Sequence, residues 1–213
     1  MSLEYFVQLI GTRADQLEPI VSRLGCQAQI IERPEDQSPD ADICLASGVH
    51  YIIKPHLLRI TRLGIWGFHE TRLPEGRGSA PLQWTVLNGR KELTVSFFEL
   101  IEKFDSGRLL GQLSSIITTC DLLEDLRKKA TALSIRLLEE KLLAFLEGRL
   151  QPISQEGNAS RYRKRDPSDS CLDLDSTLRE LWDIIRVCDN EAYPAWLEME
   201  GQKFILKRYR EED

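Results

Sequence analysis

Apolar residues in the first hundred positions come in short runs that alternate with stretches of helical spacing, the pattern of βα units feeding a largely parallel sheet. Tyr5 to Ile10 reads as a strand closed by Gly11. From residue 13 to 24, Leu17, Ile20, Val21 and Leu24 fall three and four apart, and Gly25 stands just past the end as a C-cap signal. Gln29 to Glu32 predicts a second strand, the acidic stretch Pro34 to Pro39 a polar connection, and Asp42 to Ser47 a third strand. After Gly48 a loop and helix are expected up to Thr61, then a strand from Leu63 to Phe68 that delivers His69 into a segment rich in Pro and Gly. Open α/β sheets build their sites at such carboxyl ends of strands. Leu93 to Phe98 and Leu113 to Thr118 predict two more strands that extend the sheet.

From Leu122 to Leu146 the positions Leu123, Leu126, Ala130, Leu133 and Leu137 recur at helical spacing with charges between them, predicting one long amphipathic helix. Composition then shifts. Residues 151 to 170 collect Pro, Ser, Gly, Asn and basic residues and read as a linker or mobile loop. A helix over Ser176 to Cys188 and a strand at Phe204 to Leu206 make a small tail. The expected organisation is a domain over residues 1–150 and a small C-terminal α+β subdomain over 151–213.

Charge and cysteine usage narrow the function. The 213 residues carry 28 basic and 34 acidic side chains, a net charge of −6 that opposes binding of a polyanionic backbone and argues against a nucleic-acid partner. The five cysteines are scattered, with no C-x-x-C pair or His at ligand spacing, so no metal site is expected and the thiols read as reduced and mostly buried in a cytoplasmic protein. The start lacks a signal-peptide pattern, and charges interrupt every stretch long enough to span a membrane. The long helix and the tail strand could each support a homodimer.

The chemistry concentrates between Gly64 and Gln112, in Gly67-Phe68-His69, Leu73-Pro74, Arg77-Gly78 and Phe104-Asp105-Ser106-Gly107. The strand from Thr94 to Phe98 can pair beside the one ending at His69 and bring His69 and Asp105 together. A carboxylate against an imidazole N–H fixes the tautomer and lets the other nitrogen take a proton near neutral pH. Taken alone, one His and one Asp read better as a capped structural histidine and a surface turn.

The surrounding pattern resembles the folate-dependent formyltransferase family, whose motif N-x-H-x-S-x-L-P-x-x-R-G follows a parallel strand and precedes a D-x-G turn. His69, Thr71, Leu73, Pro74, Arg77 and Gly78 stand at the first motif's positions, and Asp105 and Gly107 at the turn. Tyr51-Ile52-Ile53-Lys54-Pro55 resembles the family's pteridine loop, and Tyr162 to Arg165, Leu172 to Leu174 and Tyr193 to Ala195 are similar to the region after the catalytic domain. The resemblance implies a Rossmann-like formyltransferase fold and attack by an amine on the formyl carbon of 10-formyltetrahydrofolate, without a metal. It makes His69 and Asp105 catalytic. Tyr51, Ile52, Ile53, Lys103 and Phe104 are assigned to the cofactor. Thr71, Arg77, Trp84, Tyr162, Lys164 and Arg165 are assigned to the substrate. Gly67 stands where the family has an oxyanion-stabilising Asn. Losing one such donor lowers turnover by a factor of about 10²–10³, so either a backbone N–H, a water in the vacated space or charged His69 replaces it, or the enzyme is slow.

The acceptor follows by comparison within the family. Gly11-Thr12-Arg13-Ala14-Asp15 lacks the Gly-rich phosphate loop of the glycinamide ribonucleotide enzymes, and the acidic chain lacks the basic face expected of a tRNA enzyme. The reading is therefore transfer to the amino group of a thymidine- or uridine-diphosphate-linked amino-dideoxysugar. Alternatives are a methionyl-tRNA formyltransferase-like enzyme acting on another amine, and an inactive relative that binds folate and nucleotide-sugar. Only 68 residues precede His69, so one βα unit of the family's usual sheet is expected to be reduced or missing.

Overall fold

The computed structural model describes residues 4–211. β1 (Phe6–Ile10) turns at Gly11 into α1 (Ala14–Arg23) and the chain returns in β2 (Gln27–Ile31). β3 (Ile43–Ala46) lies on the other side of β1, and β4 (Ile65–His69) pairs with β3, all four strands being parallel. After a two-residue strand β5 (Arg77–Gly78) and a short helix α2 (Pro81–Leu87) come β6 (Glu92–Glu99) and β7 (Leu109–Ile116). These two extend the sheet antiparallel, giving the order β2-β1-β3-β4-β6-β7. The mostly parallel, Rossmann-like sheet expected from the sequence is present, with β6 beside β4 and His69 opposite Ser96.

The sheet's two faces are covered unequally, and this positions the site. Side chains alternate across a pleated strand. Ile43, Leu45, Trp66, Phe68, Val95 and Phe97 thus bury in one layer against α1, α2 and the long helix α3 (Leu123–Leu146). Trp66 is fully buried there, its ring edge-on to Phe97 and Phe145 at 6.1 and 4.7 Å. The opposite face carries Cys44, Ala46, Ile65, Gly67 and His69. Ile53, Leu57 and Leu58 cover part of it, from a connection that forms a 3₁₀ turn at Pro55–Leu57. The helix expected before Thr61 is therefore a turn.

α3 forms because its buried positions, among them Leu126, Ala130, Leu133 and Leu137, fall on one stripe against β6 and β7. At its start the Asp125 carboxylate accepts the Leu122 N–H (2.9 Å) and complements the positive end of the helix. β8 (Arg161–Tyr162), α4 (Leu178–Val187) and the hairpin of β9 (Ala195–Met199) and β10 (Gln202–Leu206) follow. Leu172, Leu181, Cys188 and Ala195 form a small core of their own in this tail.

Several sequence expectations change. β7 begins four residues earlier than predicted, because Leu109 and Leu110 are the buried pair and Gly111 and Gln112 break the apolar alternation. α2 and β9 have no counterpart in the sequence reading, being too short to show a period. The segment expected as a linker is tied down: β8 pairs with β5, and Ile153 bridges to Leu109. Cys26, Cys44 and Cys188 are buried and Cys120 is exposed, all as free thiols, and burial pushes Cys44 up to about 12. Among the described residues no helix is long and apolar enough to cross a membrane.

The tail docks on the start of α3 through charge. Arg186 is 5% exposed, donates to the carbonyls of Thr118 (2.8 Å) and Asp121 (3.1 Å), and pairs with Asp183 (2.6 Å). Burial acts to raise the Asp121 and Asp125 carboxyls, but bonds from Lys129 and Arg210 outweigh it and hold both below the usual carboxylate range. A carboxylate held low in the folded state contributes stability that is present above the unfolded value of about 3.9 and lost as pH falls through the folded value. Thermal melts from pH 6 to pH 2 should therefore lose stability below about pH 4, and Asp121→Asn should flatten that loss. Arg186→Ala, which strands the buried Asp121 carbonyl and removes a second donor bond at Thr118, should destabilise by about 2–5 kcal/mol by urea denaturation at pH 7.

Candidate active site

His69 ends β4 on the thinly covered face and is 7% exposed. Its Nε2–H donates to the Gly76 carbonyl at 2.9 Å. A carbonyl only accepts, so the proton sits on Nε2 and Nδ1 carries the lone pair. Among the described residues Nδ1 makes no hydrogen bond, which leaves it as the nitrogen able to take a proton. The orienting partner expected from the sequence was Asp105; in the structure it is a backbone carbonyl of the loop that follows His69.

That loop, Glu70 to Arg77, is fixed from below by β6 and β7. Buried Ser96 donates its hydroxyl to the Thr71 carbonyl (2.6 Å) and accepts the Leu73 N–H (3.2 Å). Gln112 donates to the Leu73 carbonyl and to Ser96 Oγ, both at 2.9 Å. Thr71 donates to the Gly76 carbonyl at 3.4 Å, sharing it with His69. At the near end Arg13, from the turn after β1, pairs with Glu70 at 2.6 Å.

Asp105 joins the same loop at its far end, where its Oδ2 accepts the Gly78 N–H at 2.8 Å. Its backbone is left-handed, φ +49°, which few non-glycine residues adopt and Asp tolerates better than most. The D-x-G pattern has a steric cause, since a Cβ on Gly107 would lie 2.0 Å from the Glu99 carbonyl oxygen. His69 and Asp105 thus hold backbone groups only two residues apart, a span of at most about 7 Å of chain. They share the loop and do not hydrogen-bond to each other.

Gly67 is the other departure from expectation. A Cβ there would lie 2.8 Å from the Ala46 carbonyl oxygen and 2.9 Å from Leu100 Cδ1. The first atom of an Asn side chain would therefore crowd both backbone and a leucine methyl. Leu100 packs against both the Ile53–Leu58 cluster and the cluster of Leu73, Phe98 and Leu109.

Of the residues assigned to the cofactor, Ile53 is buried, while Tyr51, Ile52 and Phe104 are 49, 70 and 48% exposed and Lys103 is exposed. Burial, then the nearby Cys44 and Glu35, push the Tyr51 phenol up. A cavity of about 570 Å³ lies at the Gly64 end of β4, away from His69, lined by Leu58, Gly64, Trp66, Leu100, Glu102 and Phe145. None of the five residues assigned to the cofactor lines it. Neither His69 nor Asp105 lines this cavity.

The residues assigned to the substrate fall on one side of the loop. β5 and β8 pair Arg77 with Arg161 and Gly78 with Tyr162. Arg77 Nη2 donates to Gln155 Oε1 at 2.6 Å, while its buried Nε has no partner. Trp84 Nε1–H donates to the Arg163 carbonyl (2.8 Å), and the Arg163 guanidinium sits 4.9 Å from the Trp84 ring centre. Arg165 is turned inward onto the Asp169 carbonyl (2.8 Å), and Lys164 is exposed. Sequence reasoning missed Ser96, Gln112, Gln155 and Ser160, whose partners lie 16 to 84 positions away along the chain.

Because the neighbours of Gly67 include backbone, Gly67→Asn should cost about 1–3 kcal/mol of stability through overpacking. Leu100→Ala removes one of the two obstructions. In a double-mutant cycle of urea midpoints the pair should therefore be less destabilised than the sum of the singles. Additive losses would show that Leu100 does not fill the Gly67 side of the site.

Comparison with known proteins bears on the fold and the family. The family model described as formyl transferase matches residues 25–142. The bifunctional polymyxin resistance protein ArnA of Wigglesworthia glossinidia brevipalpis is 30% identical over 166 residues, 78% of this chain and 25% of that protein. The chain thus spans about a quarter of that relative's length. A 4-N formyltransferase from Francisella tularensis superposes with a TM-score of 0.81 at 15% identity, over 98% of this chain and 99% of the other. The formyltransferase PseJ from Anoxybacillus kamchatkensis, in complex with UDP-4,6-dideoxy-4-formamido-L-AltNAc and tetrahydrofolate, superposes with a TM-score of 0.64 at 18% identity, over 74 and 85% of the two chains. With its sheet, its histidine strand and its D-x-G turn in place, and with the family model matching more than half its length, the chain belongs to the formyl transferase family.

Proposed function

We propose that this protein transfers the formyl group of 10-formyltetrahydrofolate to the amino group of an amino-dideoxysugar linked to uridine or thymidine diphosphate. The observation that carries the reading is His69 on the thinly covered sheet face, its Nε2–H committed to Gly76 and its Nδ1 free, with the Asp105 carboxylate anchored two residues along the same loop. The amine attacks the formyl carbon, a C–N bond forms, and the tetrahedral intermediate collapses with cleavage of the bond to N10 of the folate. The amine gives up a proton that His69 Nδ1 accepts, and N10 gains one. Asp105 steadies the charge that His69 acquires and passes protons through water.

The folate belongs between Tyr51–Ile53 and Lys103–Phe104. The exposed rings and Ile52 offer apolar surface for a flat heterocycle to cover. The nucleotide-sugar belongs on the β5–β8 side, where Thr71, Arg77, Trp84, Tyr162, Lys164 and Arg165 gather. Arg161 and Lys164, both exposed, are the cations best placed for a diphosphate. The PseJ complex with a UDP-linked formamido sugar and tetrahydrofolate supports this choice of acceptor.

The crowding at Gly67 favours a second reading, a folate- and nucleotide-sugar-binding relative without turnover. One assay separates them: tetrahydrofolate release with uridine- and thymidine-linked amino-dideoxysugars and with methionyl-tRNA as rival acceptors. Release with a nucleotide-sugar, reduced by roughly 10²–10⁴ in His69→Ala, supports transfer. Binding of both ligands that survives His69→Ala without any release supports the binder, and release with methionyl-tRNA alone overturns the sugar assignment.

A further inference from the structure

Residues 153 to 162 run as a strap across both halves of the candidate site. Ile153 exchanges two backbone hydrogen bonds with Leu109 (2.7 and 2.9 Å). Gln155 then spends its whole amide on the site. Nε2 donates to the carbonyls of Asp105 (2.9 Å) and Gly107 (2.8 Å), and Oε1 accepts from Arg77 (2.6 Å). Five residues on, Ser160 Oγ accepts the Gly76 N–H at 2.8 Å, the Ser160 N–H donates to the Pro74 carbonyl at 3.2 Å, and its carbonyl accepts the Arg77 N–H at 3.0 Å.

Gln155 and Ser160 hydrogen-bond to neither the His69 ring nor the Asp105 carboxylate; each grips the backbone that does the holding. Ser160 holds both peptides that flank Gly76: its carbonyl accepts the Arg77 N–H of the peptide whose oxygen meets His69, and its hydroxyl accepts the Gly76 N–H of the preceding one, so the hydroxyl completes the grip that aims the Gly76 carbonyl. Gln155 clamps the carbonyls on both sides of Ser106 and so stabilises the left-handed backbone at Asp105, a conformation that persists only when its surroundings over-determine it.

We propose that Gln155 and Ser160 are the positioning residues of this site: Ser160 sets the tautomer of His69 through Gly76, and Gln155 sets the placement of the Asp105 carboxylate. The kinetic half of this proposal rests on the formyl-transfer reading; the spectroscopic half rests on the geometry alone. A misplacement of about 1 Å in a reacting group is enough to lower a rate by up to about 10²-fold.

The test uses the full chain labelled with ¹⁵N-histidine, together with steady-state kinetics. Ser160→Ala should change the His69 Nε2–H signal and lower kcat at least about tenfold with KM within about threefold, and Ser160→Thr should restore both. Gln155→Glu keeps the shape but removes the donors. It should lower kcat similarly while leaving the His69 signal in place, and it carries the test where Ser160→Ala does not fold. Wild-type kcat and a wild-type His69 spectrum in Ser160→Ala and Gln155→Glu overturn the proposal. If the wild-type protein turns over no acceptor, the functional reading fails separately and the His69 spectrum of Ser160→Ala decides alone: a changed signal supports the positioning role and an unchanged one overturns it.

Discussion

The alternation of side chains along β4 is the constraint on which the site depends. Trp66 and Phe68 are drawn into the helix-covered layer, where Trp66 is fully buried between Phe97 and Phe145. Full burial of one such side chain is worth about 1.5–3 kcal/mol. That commitment forces Gly67 and His69 onto the other face, since a one-residue slip would exchange the two sets. The same alternation in β6 sends Val95 and Phe97 inward and puts Ser96 opposite His69. The chemistry-bearing residues are therefore placed by the burial of their neighbours.

The cover on that face is thin. The short connection from β3 to β4 covers the face with a single 3₁₀ turn and a few apolar side chains, among them Ile53, Leu57 and Leu58. It leaves the loop after His69 without a helix to brace it, and polar contacts from four separate stretches of chain take over. Ser96 and Gln112 hold it from the sheet, Arg13 from the first turn, and Gln155 and Ser160 from the strap. Buried networks of this kind specify one geometry when every member is satisfied. Arg77 Nε, buried without a partner beside Gln155, is the exception in this one.

Local pattern made much of this legible in the sequence. The strand ending at His69, the β6 partner and the long helix α3 were readable from short apolar runs and from leucines three and four apart. The D-x-G turn was readable as a motif, and its reason, the approach of Gly107 to the Glu99 carbonyl, needed coordinates. What stayed hidden is long-range. Nothing near Gln155 or Ser160 announces partners 50 or 84 positions away, and a polar, Ser- and Gly-bearing stretch reads as a linker whether or not it pairs. The crowding at Gly67 is hidden for the same reason, since Ala46 and Leu100 reach it from two other stretches of the chain.

The most direct measurement is a crystal structure with a stable formyl-folate analogue and a uridine-linked amino-dideoxysugar bound together. The expected result places the formyl carbon on the His69 face of β4, with the sugar amine within about 3–3.5 Å of it and His69 Nδ1 within reach of the amine. An analogue seated away from the loop of His69 and Asp105, or a histidine presenting Nε2 to the amine, would contradict the proposed chemistry.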